Sequence, residues 1–186
     1  MYKECKTEQS VQRQRYIADS LRRMMETEDY RQITVSALCQ YTGIPRKGFY
    51  RYFDTKDDVF RLIVEQLMKE CGDYCTQGKK SVVDKERLVH FFEFWKNNKS
   101  FLQSIHSVDA ADMLLRCYLE NSIRMAAAHV SGLDKKRHMQ VIFASSGMCA
   151  MLYNWHMGDY EWDPQEMAEY AILFLTEPLV VHIDRG

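Results

Sequence analysis

The chain has 186 residues, 46% apolar and 27% charged, with only three prolines and eight glycines. That length buries a core without disulfides or metal, and the balance excludes wholesale disorder and a turn-rich β architecture. Net charge is −1, yet residues 1–56 hold eleven Lys/Arg against seven Asp/Glu while the remainder is acidic, which hints at nucleic acid at the basic end.

The opening MYKECKTEQSVQRQRY has no apolar run, and no stretch approaches the roughly 20 apolar residues of a membrane span, so a soluble cytoplasmic protein is expected. Cys5, Cys39, Cys71, Cys75, Cys117 and Cys149 are scattered without a CxxC pair. Cys71 and Cys75 share a helical face, at a spacing that does not suit a strain-free disulfide. Buried reduced thiols, with no metal and no cofactor, are the expectation.

Residues 7–27 place Val11, Ile17, Leu21, Met24 and Met25 at helical spacing, and the polar ETEDYRQ interrupts them. Thr34 caps a short second helix to Tyr41 with Ala37, Leu38 and Tyr41 inward, and Thr42-Gly43 ends it. Pro45 suits the first turn of a third helix carrying Arg46 to Tyr52. Thr55-Lys56-Asp57-Asp58 is a capping box with Asp in place of Glu, opening a helix over 55–75 through Val59, Phe60, Ile63, Val64, Leu67 and Met68.

After a break at TQGKKSVVD, DKERLVHFFEFWKNN reads as a helix with Leu88, Phe91, Phe92 and Trp95 inward. A short helix over Phe101–Ser107 and a longer one over Asp109–His129 lead to a second break, SGLD. Residues 135–157 and 164–177 form the last two helices, parted by GDYEWDP, with Pro178 as the stop. The sum is an all-α fold of about nine helices: residues 1–56 as a DNA-binding domain, 57–186 as a larger helical domain, and helix 55–75 as the link.

Two short helices joined by a glycine turn, the second both basic and aromatic, outline a helix-turn-helix. Its second helix shows polar side chains to base edges while its other face packs on the first two helices. Leu38, Cys39, Ile44, Phe49 and Phe53 supply that packing, leaving Arg46, Lys47 and Arg51 outside with Tyr50 and Tyr52 at the edge.

The stretch TVSALCQYTGIPRKGFYRYFDTKDDVFRLIVEQLM resembles the N-terminal DNA-binding segment of the tetracycline-repressor (TetR) family of bacterial regulators. The likeness covers residues 10–68 and rests on Thr34-Val35, Gly43-Ile44, Phe49-Tyr50-Arg51-Tyr52-Phe53 and Thr55-Lys56 at the family's spacing. It implies phosphate contacts from Thr34, Tyr50, Tyr52 and Lys56, with Ser36 facing the DNA and Arg46, Lys47 and Gly48 meeting base edges. The chain departs from the family pattern at Lys47-Gly48, where many members have glycine then threonine, and at Pro45, where a serine cap is common.

The resemblance also implies a bacterial repressor that binds a near-palindromic double-stranded operator as a homodimer and is released by a small-molecule effector. HMQVIFASSGMCAMLYNWHMGD is apolar around most of its circumference, with Ala144, Ser145, Ser146, Gly147 and Ala150 permitting close helix approach. Together with EMAEYAILFL it suits a four-helix interface across a two-fold axis. Phe91, Phe94, Trp95, Met113, Tyr118, Met148 and Trp155 are the candidate pocket residues and favour an apolar or aromatic effector. No catalytic grouping is present, so an enzyme is not expected. The rival reading is an interaction protein on the same fold that does not use its recognition helix on DNA.

Overall fold

A computed structural model describes residues 2–76, 85–105, 108–129 and 134–176. Among these residues there are nine helices and no strand. They are α1 (Glu8–Met25), α2 (Val35–Thr42), α3 (Arg46–Phe49), α4 (Lys56–Thr76), α5 (Lys85–Asn97), α6 (Lys99–Gln103), α7 (Val108–His129), α8 (Lys135–Met157) and α9 (Pro164–Thr176). Residues 77–84 and 131–133 of the expected breaks, the end of the helix expected to reach Ser107, and Pro178 lie outside the described residues.

Local chemistry sets most helix starts. Thr7, Thr34 and Asp134 each accept a backbone N–H three residues on, at the heads of α1, α2 and α8. The box at α4 is reciprocal: Asp58 N donates to Thr55 Oγ1 at 3.2 Å and Thr55 N to Asp58 Oδ2 at 3.0 Å. α9 starts on a second box, in which Asp163 accepts from the Gln165 and Glu166 amides and donates its own N–H to Glu166 at 2.9 Å. Pro164 sits first in that helix, where its missing N–H costs nothing.

α4 is the spine of the molecule. It packs on α1 at its beginning and on α5 and α7 along its length, while α9 covers α5 and α8 covers α7. Val59, Phe60, Ile63, Val64 and Leu67 are all buried on it. The aromatic core continues through edge-on pairs: Phe92 against Trp155 at 5.5 Å, Trp155 against Tyr160 at 4.9 Å, Phe94 against Trp95 at 5.5 Å.

Three expectations change. The ETEDYRQ stretch is no simple polar break, because Tyr30 is buried and, with Ile33, seals the space between α1 and α4. Tyr41 points outward at 53% exposure, since the inner stripe of α2 runs through Leu38, Cys39 and Thr42. Thr42 fits there because its hydroxyl donates to the Leu38 carbonyl at 2.8 Å. The third helix ends at Phe49 rather than Tyr52, and Pro45 stands at its cap, outside the first turn. Beyond Phe49 the amides of Arg51 and Tyr52 reach back only three residues, a tighter winding that delivers Phe53 into the core beneath Phe49.

Candidate nucleic-acid interface

The turn between α2 and α3 is built by two residues. Gly43 takes φ +67 and ends α2, its N–H and that of Ile44 capping the carbonyls of Gln40 and Cys39. Ile44 then drops into the core at 8% exposure. Gly48 permits the close approach of α3: a Cβ there would meet Ile44 Cγ2 at 3.0 Å. The glycine that departs from the family pattern thus has a packing reason, independent of any base it faces.

Phe49 and Phe53, with centroids 5.6 Å apart, hold α3 down from below. Thr34, Ser36, Arg46, Lys47, Tyr50 and Arg51 are all exposed. Arg46 Nη2 donates to the Tyr50 hydroxyl at 3.3 Å and its guanidinium stands 6.0 Å from that ring's centre. The Tyr50 O–H proton therefore stays available to an outside acceptor while the arginine steadies its oxygen. Thr34 is in the same position: Oγ1 accepts from Ala37 N at 3.0 Å, and its own proton is left to donate outward.

Lys56 and Tyr52 are less free. Lys56 Nζ donates to the Tyr30 carbonyl at 2.6 Å and lies 4.1 Å from the centre of the Tyr30 ring, half-buried. Burial pulls its pKa down, against the carboxylates of Asp57 and Asp29. The Tyr30 hydroxyl in turn donates to Asp57. Tyr52 is half-buried, and its carbonyl accepts from Lys3 N at 3.0 Å.

That last bond belongs to a feature that helical periodicity does not reveal. The N-terminal residues strap the end of the recognition helix: Lys3 Nζ donates to the Tyr50 carbonyl and pairs with Asp54 at 3.2 Å, and Gln14 holds the Lys3 carbonyl at 2.7 Å. Only the basic composition of the N-terminus points to Lys3.

Of the expected pocket residues, the structure brings three together. Phe91, Tyr118 and Met148 line a cavity of about 940 Å3 with Leu62, Cys71, Cys75, Arg87 and Leu88, between α4, α5, α7 and α8. Phe94, Trp95 and Trp155 pack inside the core away from that wall, and Met113 borders a polar groove with Arg61, Arg116 and Glu120. A second apolar cavity of about 520 Å3 lies among Leu102, Ile105, Leu114, Cys149 and Leu152.

A short two-helix corner with a basic, partly aromatic outer face, seated on α1, defines a helix-turn-helix of the DNA-binding kind. Residues 17–63 match the family model described as bacterial regulatory proteins, tetR family. The match covers about a quarter of the chain, the segment that holds α2, α3 and the start of α4. A curated relative, the HTH-type dhaKLM operon transcriptional activator DhaS of Lactococcus lactis, is 27% identical over 104 residues, 54% of this chain and 52% of that protein, so the match spans about half of each. Two solved structures share the fold over nearly their whole length. A TetR transcriptional regulator of Streptococcus agalactiae superposes with a TM-score of 0.62 at 16% identity, over 90% of this chain and 95% of its own. A TetR-family regulator of Syntrophomonas wolfei gives 0.61 at 15% identity, over 92% and 99%.

Proposed function

We propose that the protein is a DNA-binding transcriptional regulator that acts as a homodimer on a near-palindromic operator and responds to an apolar or aromatic small molecule. The observation that carries this reading is the outer face of α2 and α3. Thr34 and Tyr50 each keep a hydroxyl proton for a phosphate, while Arg46 and Lys47 stand exposed on α3. Arg46 is the base reader, worth about 1–3 kcal/mol of discrimination at a guanine. Lys47 reads beside it, and Gly48 takes part on the base side through its backbone, its missing Cβ serving the packing against Ile44. Ser36, Tyr52 and Lys56 complete the phosphate side, Lys56 with the two ammonium protons that Tyr30 does not take.

In this reading residues 1–56 bind DNA, residues 57–186 hold the effector and the partner subunit, and α4 joins them. The two-fold interface is α8 with α9. Phe143 is 65% exposed and Phe174 is 45% exposed, and between them Ala144, Gly147 and Met151 line a shallow apolar groove of about 220 Å3. Apolar surface of this kind is what an isologous four-helix contact buries. The effector sits in the cavity walled by Phe91, Tyr118 and Met148 and acts by favouring one tilt of α4 over another. The Lactococcus relative is named as an activator; whether an operator-bound dimer blocks or helps transcription depends on where the operator lies relative to the promoter. Among the described residues no helix is long and apolar enough to cross a membrane, in keeping with a cytoplasmic regulator.

Selection of bound duplexes from a random library tests the proposal, run in parallel with the variant Tyr50→Phe plus Arg46→Ala. The expected result is an enriched near-palindrome that the double variant loses. Binding that is salt-sensitive but selects no sequence, or no binding at all, would transfer the assignment to a protein-interaction role on the same fold.

A further inference from the structure

The wall of the larger cavity carries two sulfurs. Cys71 and Cys75 follow one another on the same face of α4, and their Sγ atoms are 3.8 Å apart, within reach of an S–H···S hydrogen bond. Cys71 is buried at 2% exposure, whereas Cys75 is half-buried and closer to the open space. Arg87, on α5, lines the cavity with them. Leu62, Leu88, Phe91 and Met148 give the cavity apolar surface, and Glu65, Lys69, Asp73 and Arg124 add charged groups to its lining.

We propose that this cavity is a covalent site in which the Cys75 thiolate adds to an α,β-unsaturated carbonyl compound, with Cys71 as the positioning residue. The inference rests on the reading of the cavity as the effector site and names the chemical class that the site takes. The volume and apolar walls suit a carbon skeleton rather than a small oxidant.

Two adjoining thiols do not share ionisation equally. Cys71 lies deeper, and its hydrogen bond with Cys75 together with burial pushes its pKa up. The same bond pulls the Cys75 pKa down against its own burial, and the Arg87 guanidinium adds to the pull. Burial raises the other four: Cys5 and Cys39 upward, Cys117 and Cys149 to about 11. The shift is downward for Cys75 and upward for the other five, and Cys75 is also the more exposed of the two thiols on the cavity wall.

The step balances without an oxidant. Cys75 gives its proton to water, and the sulfur lone pair forms a bond to the β-carbon. The π pair of the double bond moves onto the carbonyl oxygen beside Arg87, and water returns a proton at the α-carbon. The net change is addition of S–H across the double bond. The adduct occupies the cavity from the last turn of α4, the helix that follows the recognition helix in the chain.

The test treats the full chain with one equivalent of cinnamaldehyde, fixes adducts by borohydride reduction and maps them by peptide mass. A first adduct on Cys75, about tenfold ahead of Cys5, is the expected result. A first adduct elsewhere, or unchanged uptake by Cys75→Ser, overturns the proposal. The pH profile of the rate separates positioning from mere packing: Cys71→Ala should move its midpoint upward, and an unmoved midpoint overturns the role of Cys71. Operator binding by the labelled protein then divides the two readings. Loss of affinity supports both, whereas a Cys75 adduct with full affinity keeps the thiol chemistry and removes the effector role of the cavity.

Discussion

The helix-turn-helix and the α8–α9 face solve the same problem, where to put aromatic side chains, in opposite ways. In α2 and α3 the apolar residues are spent on the inside: Leu38, Phe49 and Phe53 are at 1% exposure or less, and what remains outside is polar or amphipathic. On α8 and α9 a second set, including Phe143, Tyr170, Leu173 and Phe174, stays exposed after the core is full. The first region is complete as a single chain, and its outer face is ready for a polar partner. The second is unfinished, and an apolar partner is the natural completion. In the proposed function the two regions are the two docking surfaces of one chain, one for DNA and one for a second copy.

The contrast can be broken at its strongest point with Phe49→Ala. Removing a fully buried ring from the small core beneath α3 should cost about 3–5 kcal/mol in urea unfolding, with amide exchange rising first in α1 to α3. A loss of less than about 1 kcal/mol would mean that this core collapses around the hole and is not closely packed. On the other face, Phe143→Asp with Phe174→Asp should leave the fold intact and weaken self-association by about 100-fold or more, read by sedimentation. An unchanged association state would place the interface elsewhere.

A smaller effect lies at the junction of the two regions. Asp58→Ala removes one half of the capping box and should cost about 1–2 kcal/mol. Burial pushes the Asp58 carboxyl up, but the charge-assisted bonds it accepts, including the Thr55 and Asp54 amides, hold its pKa below the usual value. A depressed folded pKa gives stability that is fully present above about pH 4 and is lost as pH falls through the folded value. The stability–pH curve of the native chain should therefore fall in that acid window, and the variant's should fall less. Smallest is Gly43→Ala, which forces an L side chain to φ +67 and should cost about 1 kcal/mol in thermal unfolding. No change would show that the turn relaxes freely.

How much was legible varies by residue for physical reasons. Thr34, Gly43, Thr55 and Asp58 act on partners three or four positions away, so their spacing alone announces them. Tyr41 was misplaced because a short helix of eight residues offers too few turns to fix which face is inward. Tyr30 escaped because it sits in a connecting segment without periodicity, yet its hydroxyl meets Asp57 and its ring meets Phe60 at 5.2 Å. The turn after α8 hides a further surprise. Asp159 and Tyr160 both take positive φ without being glycine, a conformation held by the Tyr160 ring against Trp155 and by the bond from Trp155 Nε1 to the Trp162 carbonyl at 2.8 Å.

The sequence by itself determined the helices, their caps, the glycine turn and the division of Phe49, Tyr50 and Phe53 between inside and outside. These follow from interactions within a turn or two of chain. Only the tertiary structure decided that Phe91, Tyr118 and Met148 border open space while Phe94, Trp95 and Trp155 do not, and that Cys71 and Cys75 share that wall with Arg87. A cavity is bounded by side chains from several helices far apart in the chain, and helical spacing records which residues turn inward but not what each one meets there.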